Sequence, residues 1–322
     1  MARKPVTELK EKKILKNELN KEMFIFLLVK KVEIKTAKNG SQYLDIVASN
    51  KDNIIDFKKF ELTDEERSVR PGEIIKIRCE IQLYNGAPQL KVFQFRKASA
   101  EEVSIEELIP SAPMTGEEMY QQLESFISMI KDEDYKKIVS VIYEKHKEKL
   151  MISAAALHMH HMVRGGLLFH IVTMAKACLR MCKVYTWLDV DLLLAGVLLH
   201  DIGKVSELKT NATGMAEDFT KEGKLLGHLE LGLIEVHDVC IQLKISDEKR
   251  LCLEHLIASH HGEPEFGAAT IPVMAEAHML HFLDLIDSKM DAYKTALDGT
   301  NPGEFSEKVY ALKNRNIYRH SF

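Results

Sequence analysis

The chain has 322 residues, enough for a smaller and a larger core. Its 46% hydrophobic and 29% charged content is that of a soluble globular protein. No apolar run approaches a membrane span, and the basic start MARKPVTELKEKK has no apolar stretch behind it, so it does not read as a secretory signal. The net charge of −4 argues by itself against a nucleic-acid binder, but it is unevenly spread. Residues 1–100 carry 21 Lys and Arg against 14 Asp and Glu (+7), and the remainder carries 23 against 34 (−11). That is the asymmetry expected if only the front end handles a polyanion. The five cysteines, Cys79, Cys178, Cys182, Cys240 and Cys252, form no CxxC pair and no even framework, which fits a reducing, cytoplasmic compartment. Cys178 and Cys182, four apart, read as ordinary helix packing.

A basic N-terminal segment (1–22) opens the chain. Its lysines between Lys10 and Lys21 suit a helix that is merely solvated or one that meets RNA or a partner subunit; the sequence leaves this open. Strands follow in MFIFLLVKKVEI, SQYLDIVAS and NIIDFKKF, the first two separated by Asn39-Gly40. TDEERSVRPG is polar and helical at its start. EIIKIRCEIQLY and PQLKVFQF are two more strands around Asn85-Gly86. Asn-Gly between alternating runs is the strongest short hairpin signal. Five strands with a short helix between the third and fourth predict a small all-β barrel of OB type over residues 23–97. Such barrels hold single-stranded nucleic acid with basic grooves and stacking aromatics. Tyr43 and Tyr84, flanking the two turns, are candidate stackers. Phe93 and Phe95 alternate with Lys91 and fit a core role better. Residues 98–116 read as a linker, acidic and then marked by Ile109-Pro110 and Ala112-Pro113. From 117 to 322 apolar residues recur at three- and four-residue spacing, which predicts an all-α second domain.

The chemistry-bearing residues lie in that second domain, where the 14 histidines are concentrated. His170 follows Gly165-Gly166. His200-Asp201 ends the apolar run LLLAGVLL and is followed by Ile-Gly-Lys204. His228 follows EGKLLG, His260-His261 ends another helix, and Asp284 sits in HFLDLID. Imidazole with carboxylate makes a mixed site suited to Mn, Fe, Zn or Ni rather than Ca. A two-ion arrangement would use His170, His200, Asp201 and Asp284 for one site. The other would share Asp201 and add His228, His260 and His261. Any one of these residues alone is a weak signal; the ordered set is a strong one. Lys204 is placed to reach a phosphate oxygen, or else caps a helix. His161, beside His160, would bind a substrate phosphate or simply share a helix face with His158. His281, one turn before Asp284, either orients it or packs. His146, His237, His255 and His320 read as packing residues, and Asp287 and Asp291 as a solvated or salt-bridged edge.

In this order and context the residues resemble the HD-domain metal-dependent phosphohydrolases. More closely, the chain is similar to the YhaM-type 3′–5′ exoribonucleases, which join an N-terminal OB domain to an HD domain. The likeness runs through GGLLFH, LLHDIGKVSEL, EGKLLGH, ASHHGEPEFG and AEAHMLHFLDLIDSKMDA to the closing NRNIYR. Two stretches depart from it: NIIDFKKF lacks the usual small-residue and tryptophan pattern, and FGAATIP replaces a Gly-Ser-Pro. The resemblance implies removal of nucleotides from the 3′ end of single-stranded RNA, with single-stranded DNA a further substrate. It implies one or two divalent ions per chain, manganese first, with Fe2+, Co2+, Ni2+ and Zn2+ as alternatives. The expected mechanism is metal-assisted in-line hydrolysis to nucleoside 5′-monophosphates, with Asp201 bridging the ions and Lys204 stabilising charge. An HD phosphohydrolase of small or cyclic nucleotides is the competing enzyme. HHGEPEFG lacks the Gly-Tyr-Pro of cyclic-di-GMP enzymes, and such an enzyme has little use for a basic barrel. A nucleic-acid-binding protein on an inactive HD scaffold is the competing non-enzyme, and retention of all seven ligand types argues against it. A homo-oligomer is left open, since LLLAGVLL and the linker offer surfaces for a neighbour.

Overall fold

The computed structural model describes residues 21–51, 53–84, 87–99, 101–156, 163–211 and 213–322, without the side chains of 83–84 and 87–89. The chain divides into two compact units between Pro110 and Ser111.

In the first unit the strands are β1 (Glu22–Thr36), β2 (Gln42–Ser49), β3 (Ile54–Lys59), β4 (Ile74–Tyr84) and β5 (Ala87–Lys97), with a short helix α1 (Asp64–Arg67) between β3 and β4. They form one antiparallel sheet in the order β3-β2-β1-β4-β5. β1 serves two partners: its first half pairs with β4 and its second with β2, the register shifting between Val29 and Lys31. An extra residue there bends the strand and raises its twist, so the sheet can curl. Its two ends, β3 and β5, then come together as a partly open barrel of OB type. Alternation pins the register, because a one-residue slip would expose every inward side chain. Leu44, Ile46 and Ala48 of β2 and Ile75, Ile77 and Cys79 of β4 all point into the core.

The closure has two ties. Phe57 of β3 meets Phe95 of β5 edge to face, with ring centroids 6.3 Å apart. Below them Glu66 of α1 is only 2% exposed. Its carboxylate accepts the backbone N–H of Thr63 at 2.9 Å and of Phe95 at 3.3 Å, and lies 3.7 Å from the buried Lys59 ammonium. One side chain thus caps α1 and binds it to both closing strands. Phe95 is a core residue as its period-two placement suggests, whereas Phe93 is half-buried between the cations of Lys91 and Arg78.

The second unit contains α2 (Gly116–Met129), α3 (Glu133–Leu150), α4 (Gly166–Val184), α5 (Val190–Leu199), α6 (Lys204–Glu207), α7 (Lys221–Leu225), α8 (His228–Gln242), α9 (Asp247–Ser259) and α10 (Ala275–Asp298). Two hairpins that the periodicity does not reveal are inserted: β6 (Leu208–Thr210) with β7 (Ala216–Phe219), and β8 (Phe305–Val309) with β9 (Arg315–Tyr318). α5 is the centre. Every residue from Leu192 to Leu199 is buried, with α3, α4, α9 and α10 packed around it. A helix that is apolar all round must lie inside. Gly196 lets α9 come close, since a Cβ there would sit 2.4 Å from Leu256. The buried Tyr143 hydroxyl of α3 donates to the Leu198 carbonyl in the last turn of α5. The segment read as a linker is ordered: Ile105–Glu107 form a short 3-10 helix, and Ala112 already belongs to the helical core. Among the described residues no helix is long and apolar enough to cross a membrane, and all five cysteines are unpaired.

Glu66→Ala should weaken the barrel by on the order of 2 kcal/mol, because it removes the acceptor of the Phe95 N–H and leaves the buried Lys59 ammonium only the Phe60 and Glu61 carbonyls. Hydrogen exchange should show faster-exchanging amides in β3 and β5, with α4 and α5 unchanged.

Candidate metal centre

Three helix ends and the middles of two helices meet at one buried point. His200 ends α5 and Asp201 follows it in the turn; His260 and His261 end α9; His228 is the first residue of α8. His170 comes from within α4 and Asp284 from within α10. Where a helix stops, consecutive residues no longer diverge by a helical step, so both members of His200-Asp201 and of His260-His261 can face the same centre. Close approach of the α6 turn to α8 depends on Gly203: a Cβ there would lie 1.9 Å from the His228 carbonyl oxygen. Gly227, with φ of 82°, turns the chain into His228 in the left-handed region where glycine is favoured.

The Asp201 carboxylate is the shared element. Its Oδ2 lies 3.4 Å from His200 Nε2 and 3.7 Å from His170 Nε2. Its Oδ1 lies 3.6 Å from His228 Nε2 and 3.8 Å from His260 Nε2. Asp284 Oδ1 lies 3.3 Å from His170 Nε2 on the first side. On the second, His261 Nε2 is 3.3 Å from His228 Nε2. Three groups with ligand-capable spacing result: His170, His200 and Asp201; His200, His260 and Asp284; and His228, His260 and His261. All seven residues expected as ligands are therefore brought together.

The far side of each ring is held. His200 Nδ1 bonds the Val197 carbonyl at 2.9 Å, and His260 Nδ1 bonds the Ile257 carbonyl at 2.8 Å. His170 Nδ1 bonds Asp287 at 2.7 Å, and His228 Nδ1 bonds Glu207 at 3.2 Å. Glu207 Oε1 also accepts the His228 backbone N–H at 3.0 Å. Such bonds place the proton on Nδ1 and leave the Nε2 lone pair for a cation. The His200 and His170 Nε2 atoms then face each other at 3.3 Å.

Electrostatics and unpaired atoms both fit a divalent cation. Burial alone would lower the His170 pKa, but Asp284 and Asp287 outweigh it and lift it to about 9, so this ring holds a second proton on Nε2 that a metal ion would replace. Asp201 is buried, which would raise its pKa, yet Lys204 and His200 hold it well below the carboxylate range. His260 is pushed well below the usual imidazole value by burial and then by His200 and His261. Among the described residues, Asp201 Oδ1, His260 Nε2 and His261 Nδ1 are buried without a hydrogen-bond partner. Two of these three aim at the shared centre. Unpaired buried acceptors are costly, and a cation satisfies them.

Lys204 opens α6, and its ammonium sits 2.7 Å from Asp201 Oδ2, so it is paired with the shared carboxylate and not capping a helix C-terminus. His281 bonds the His260 carbonyl at 2.9 Å rather than Asp284. Its ring fills the space beside Gly262, where a Cβ would meet it at 2.3 Å. His146, His237 and His255 take local partners in Glu235, Glu254 and the Val273 N–H, and His320 stacks on Phe322. His158, His160 and His161 lie outside the described residues, as does the side chain of Tyr84. Tyr43 stacks on Phe60 at 5.0 Å in the barrel. Sequence reasoning missed Asp287 and Glu207 as partners of the ligands. Asp287 had a signal, since it lies one turn after Asp284 on the same face. Glu207 had none in its local pattern.

The HD domain family matches residues 167–293, a span that holds all seven of these residues. The 3′-5′ exoribonuclease YhaM of Geobacillus sp. (strain WCH70) is 34% identical over 313 residues, covering 97% of this chain and 96% of that protein.

Asp287→Asn and Glu207→Gln each keep an acceptor but remove its charge, and each should weaken divalent-metal binding about 10- to 100-fold. Calorimetric titration with Mn2+ should show the two variants affecting different binding steps.

Proposed function

The chain belongs to the YhaM-type 3′-5′ exoribonuclease family and is a metal-dependent phosphohydrolase of the nuclease kind; from this we propose that it removes nucleotides from the 3′ end of single-stranded RNA, and of single-stranded DNA, as nucleoside 5′-monophosphates. The observation that carries the reading is the Asp201 carboxylate, each oxygen of which faces a different pair of imidazoles. That is the arrangement a bridging ligand between two cations needs.

In this reading His170, His200, Asp201 and Asp284 hold one ion, and Asp201, His228, His260 and His261 hold the other. Manganese suits the mixed nitrogen and oxygen donors, as do Fe2+, Co2+, Ni2+ and Zn2+. When bound, a pair of such ions activates water and neutralises charge on the phosphate undergoing in-line displacement. The protein's own part is to fix positions. The carbonyls of Val197 and Ile257 and the carboxylates of Asp287 and Glu207 set the orientation of four imidazoles before substrate arrives. The buried faces of α4 and α5 exclude bulk water, so charges here act at low effective dielectric. Lys204, mostly buried and paired with Asp201, would bind a non-bridging phosphate oxygen and stabilise the charge that builds on it.

Residues 117–322 would cleave, and residues 23–97 would hold the strand. The barrel carries a cleft of about 560 Å³ whose lining includes Phe60 and Phe93, the lysines Lys58, Lys59 and Lys91, and the carboxylates of Asp45, Asp56 and Glu61. Next to it Lys58 lies 5.5 Å from the Tyr43 ring, and Tyr43 in turn stacks on Phe60. Aromatic faces beside basic groups suit bases and phosphates of a single strand. A small-nucleotide phosphohydrolase would have no use for this cleft, and an inactive scaffold no use for seven converging ligand groups. Five unpaired cysteines fit a cytoplasmic setting.

With Mn2+, 5′-labelled single-stranded RNA should give a ladder shortening from the 3′ end together with released monophosphates, and a chelator should stop it. Asp201→Ala should lower turnover by on the order of 10³-fold or more while the fold and RNA binding persist. Intact RNA with the parent chain would instead direct the test to a panel of small nucleotides, and normal turnover by Asp201→Ala would remove the bridging role.

A further inference from the structure

Beyond the metal centre, the helical unit carries an aromatic and basic surface on the β8–β9 hairpin. Its inner face is firmly seated. Leu312 and Ile317 pack against Ala292 of α10. Lys289 of α10 donates to the Ala311 carbonyl, and Arg319 donates to the carbonyls of Leu297 and Thr300. The Ser306 hydroxyl oxygen accepts the Ile317 N–H at 2.9 Å, and Asn316 reaches the Ser306 carbonyl at 2.7 Å. The hairpin is therefore a rigid platform on the helix that also supplies Asp284. Along that helix Lys289 is five residues past Asp284, an axial distance of about 7.5 Å.

The outer face sets exposed rings among cations. Phe305 and Tyr318 stand opposite each other in register, with ring centroids 5.1 Å apart, and are 66% and 51% exposed. Tyr310, in the turn between the strands, is 79% exposed. Lys308, Lys313 and Arg315 are exposed around them. Residues 301–322 hold four Lys and Arg against two acids, Glu304 and Glu307, whereas residues 101–300 hold 19 against 32. A basic island on an acidic unit attracts a polyanion. Exposed rings among such charges offer what a single strand uses: faces on which bases stack and cations that track phosphates. Rings and arginine also occur at protein–protein interfaces, so an interface between copies of the chain is the competing outcome of the test.

We infer that the β8–β9 hairpin is a binding site for single-stranded nucleic acid, with bases stacking on the Phe305, Tyr310 and Tyr318 surface and phosphates meeting Lys308, Lys313 and Arg315. The inference rests on the single-stranded substrate proposed above and adds a second point of attachment, on the catalytic unit itself.

The test is fluorescence anisotropy of a 5′-labelled oligoadenylate with the full chain, in chelator so that nothing is cleaved, over a series of salt concentrations. Phe305→Ala with Tyr318→Ala should weaken binding about tenfold or more. Lys313→Glu with Arg315→Glu should weaken it too and flatten the dependence of log affinity on log salt by about 0.7 for each phosphate no longer neutralised. Cleavage of a dinucleotide, whose single phosphodiester fills the metal centre alone, should be unchanged in both variants. If the exonuclease reading fails, the parent chain cleaves nothing but the binding comparison still stands. Unchanged RNA affinity in both variants overturns the inference. So does an altered sedimentation coefficient of the aromatic variant with RNA affinity unchanged, which makes the face an interface between copies of the chain.

Discussion

A single buried carboxylate, that of Asp201, has to be neutralised from two sides, and the helical unit is organised around that requirement. Oδ2 faces His170 and His200, and Oδ1 faces His228 and His260. An anion this deeply buried is tolerated only when paired, and here Lys204 and the surrounding imidazoles supply the compensation. The same arrangement leaves inward-facing lone pairs whose natural partner is a divalent cation.

How the chain builds this centre follows from what helix ends leave unfinished. The last turn of any helix has carbonyls without an intrahelical partner. At the C-termini of both α5 and α9 one of these, from Val197 and from Ile257, receives the Nδ1 proton of the histidine three residues on. The same device used twice satisfies a helix end and fixes a ligand's tautomer together. His170 and His228 take carboxylates instead, Asp287 and Glu207, which adds negative charge behind the rings. Precision then depends on tight packing. α5 is buried throughout, Gly196 admits α9, Gly203 admits the start of α8, and Tyr143 secures the last turn of α5.

The barrel solves a different problem with a similar economy. Its sheet must close without a full set of ladder hydrogen bonds between β3 and β5, and the buried Glu66 supplies the missing connections through Lys59 and the Phe95 N–H. Closure in turn sets Lys58, Lys59, Phe60, Lys91 and Phe93 around one cleft. The β8–β9 hairpin combines the same two residue classes, cations and exposed rings, on a seat provided by α10. Each unit thus pairs a tightly constrained interior with an outward surface that carries rings and cations.

Much of this was legible in the amino-acid order. Asn-Gly turns between alternating runs marked the strands, because the two-residue side-chain period and the turn's backbone needs are local properties. The seven candidate ligand residues, which the fold brings to one point, stood out because a histidine at the end of an apolar helix beside an aspartate has few other uses, and the ordered repetition of such unusual placements compounds the signal. The partners behind the ligands were another matter. Carboxylates are abundant on any surface: Asp287 had only its place one turn after Asp284 to mark it, and nothing local distinguishes Glu207 from other acids. Only the packing of α4 on α10, and of α6 on α8, decided which of them faced an imidazole. Likewise alternation placed Phe93 and Phe95 together, but the register shift between Arg78 and Cys79 of β4 separated them, one beside the cations and the other in the core. Sequence determined which groups were available and where the chain would bend; which buried charge met which ring was settled by contacts between residues far apart along the chain.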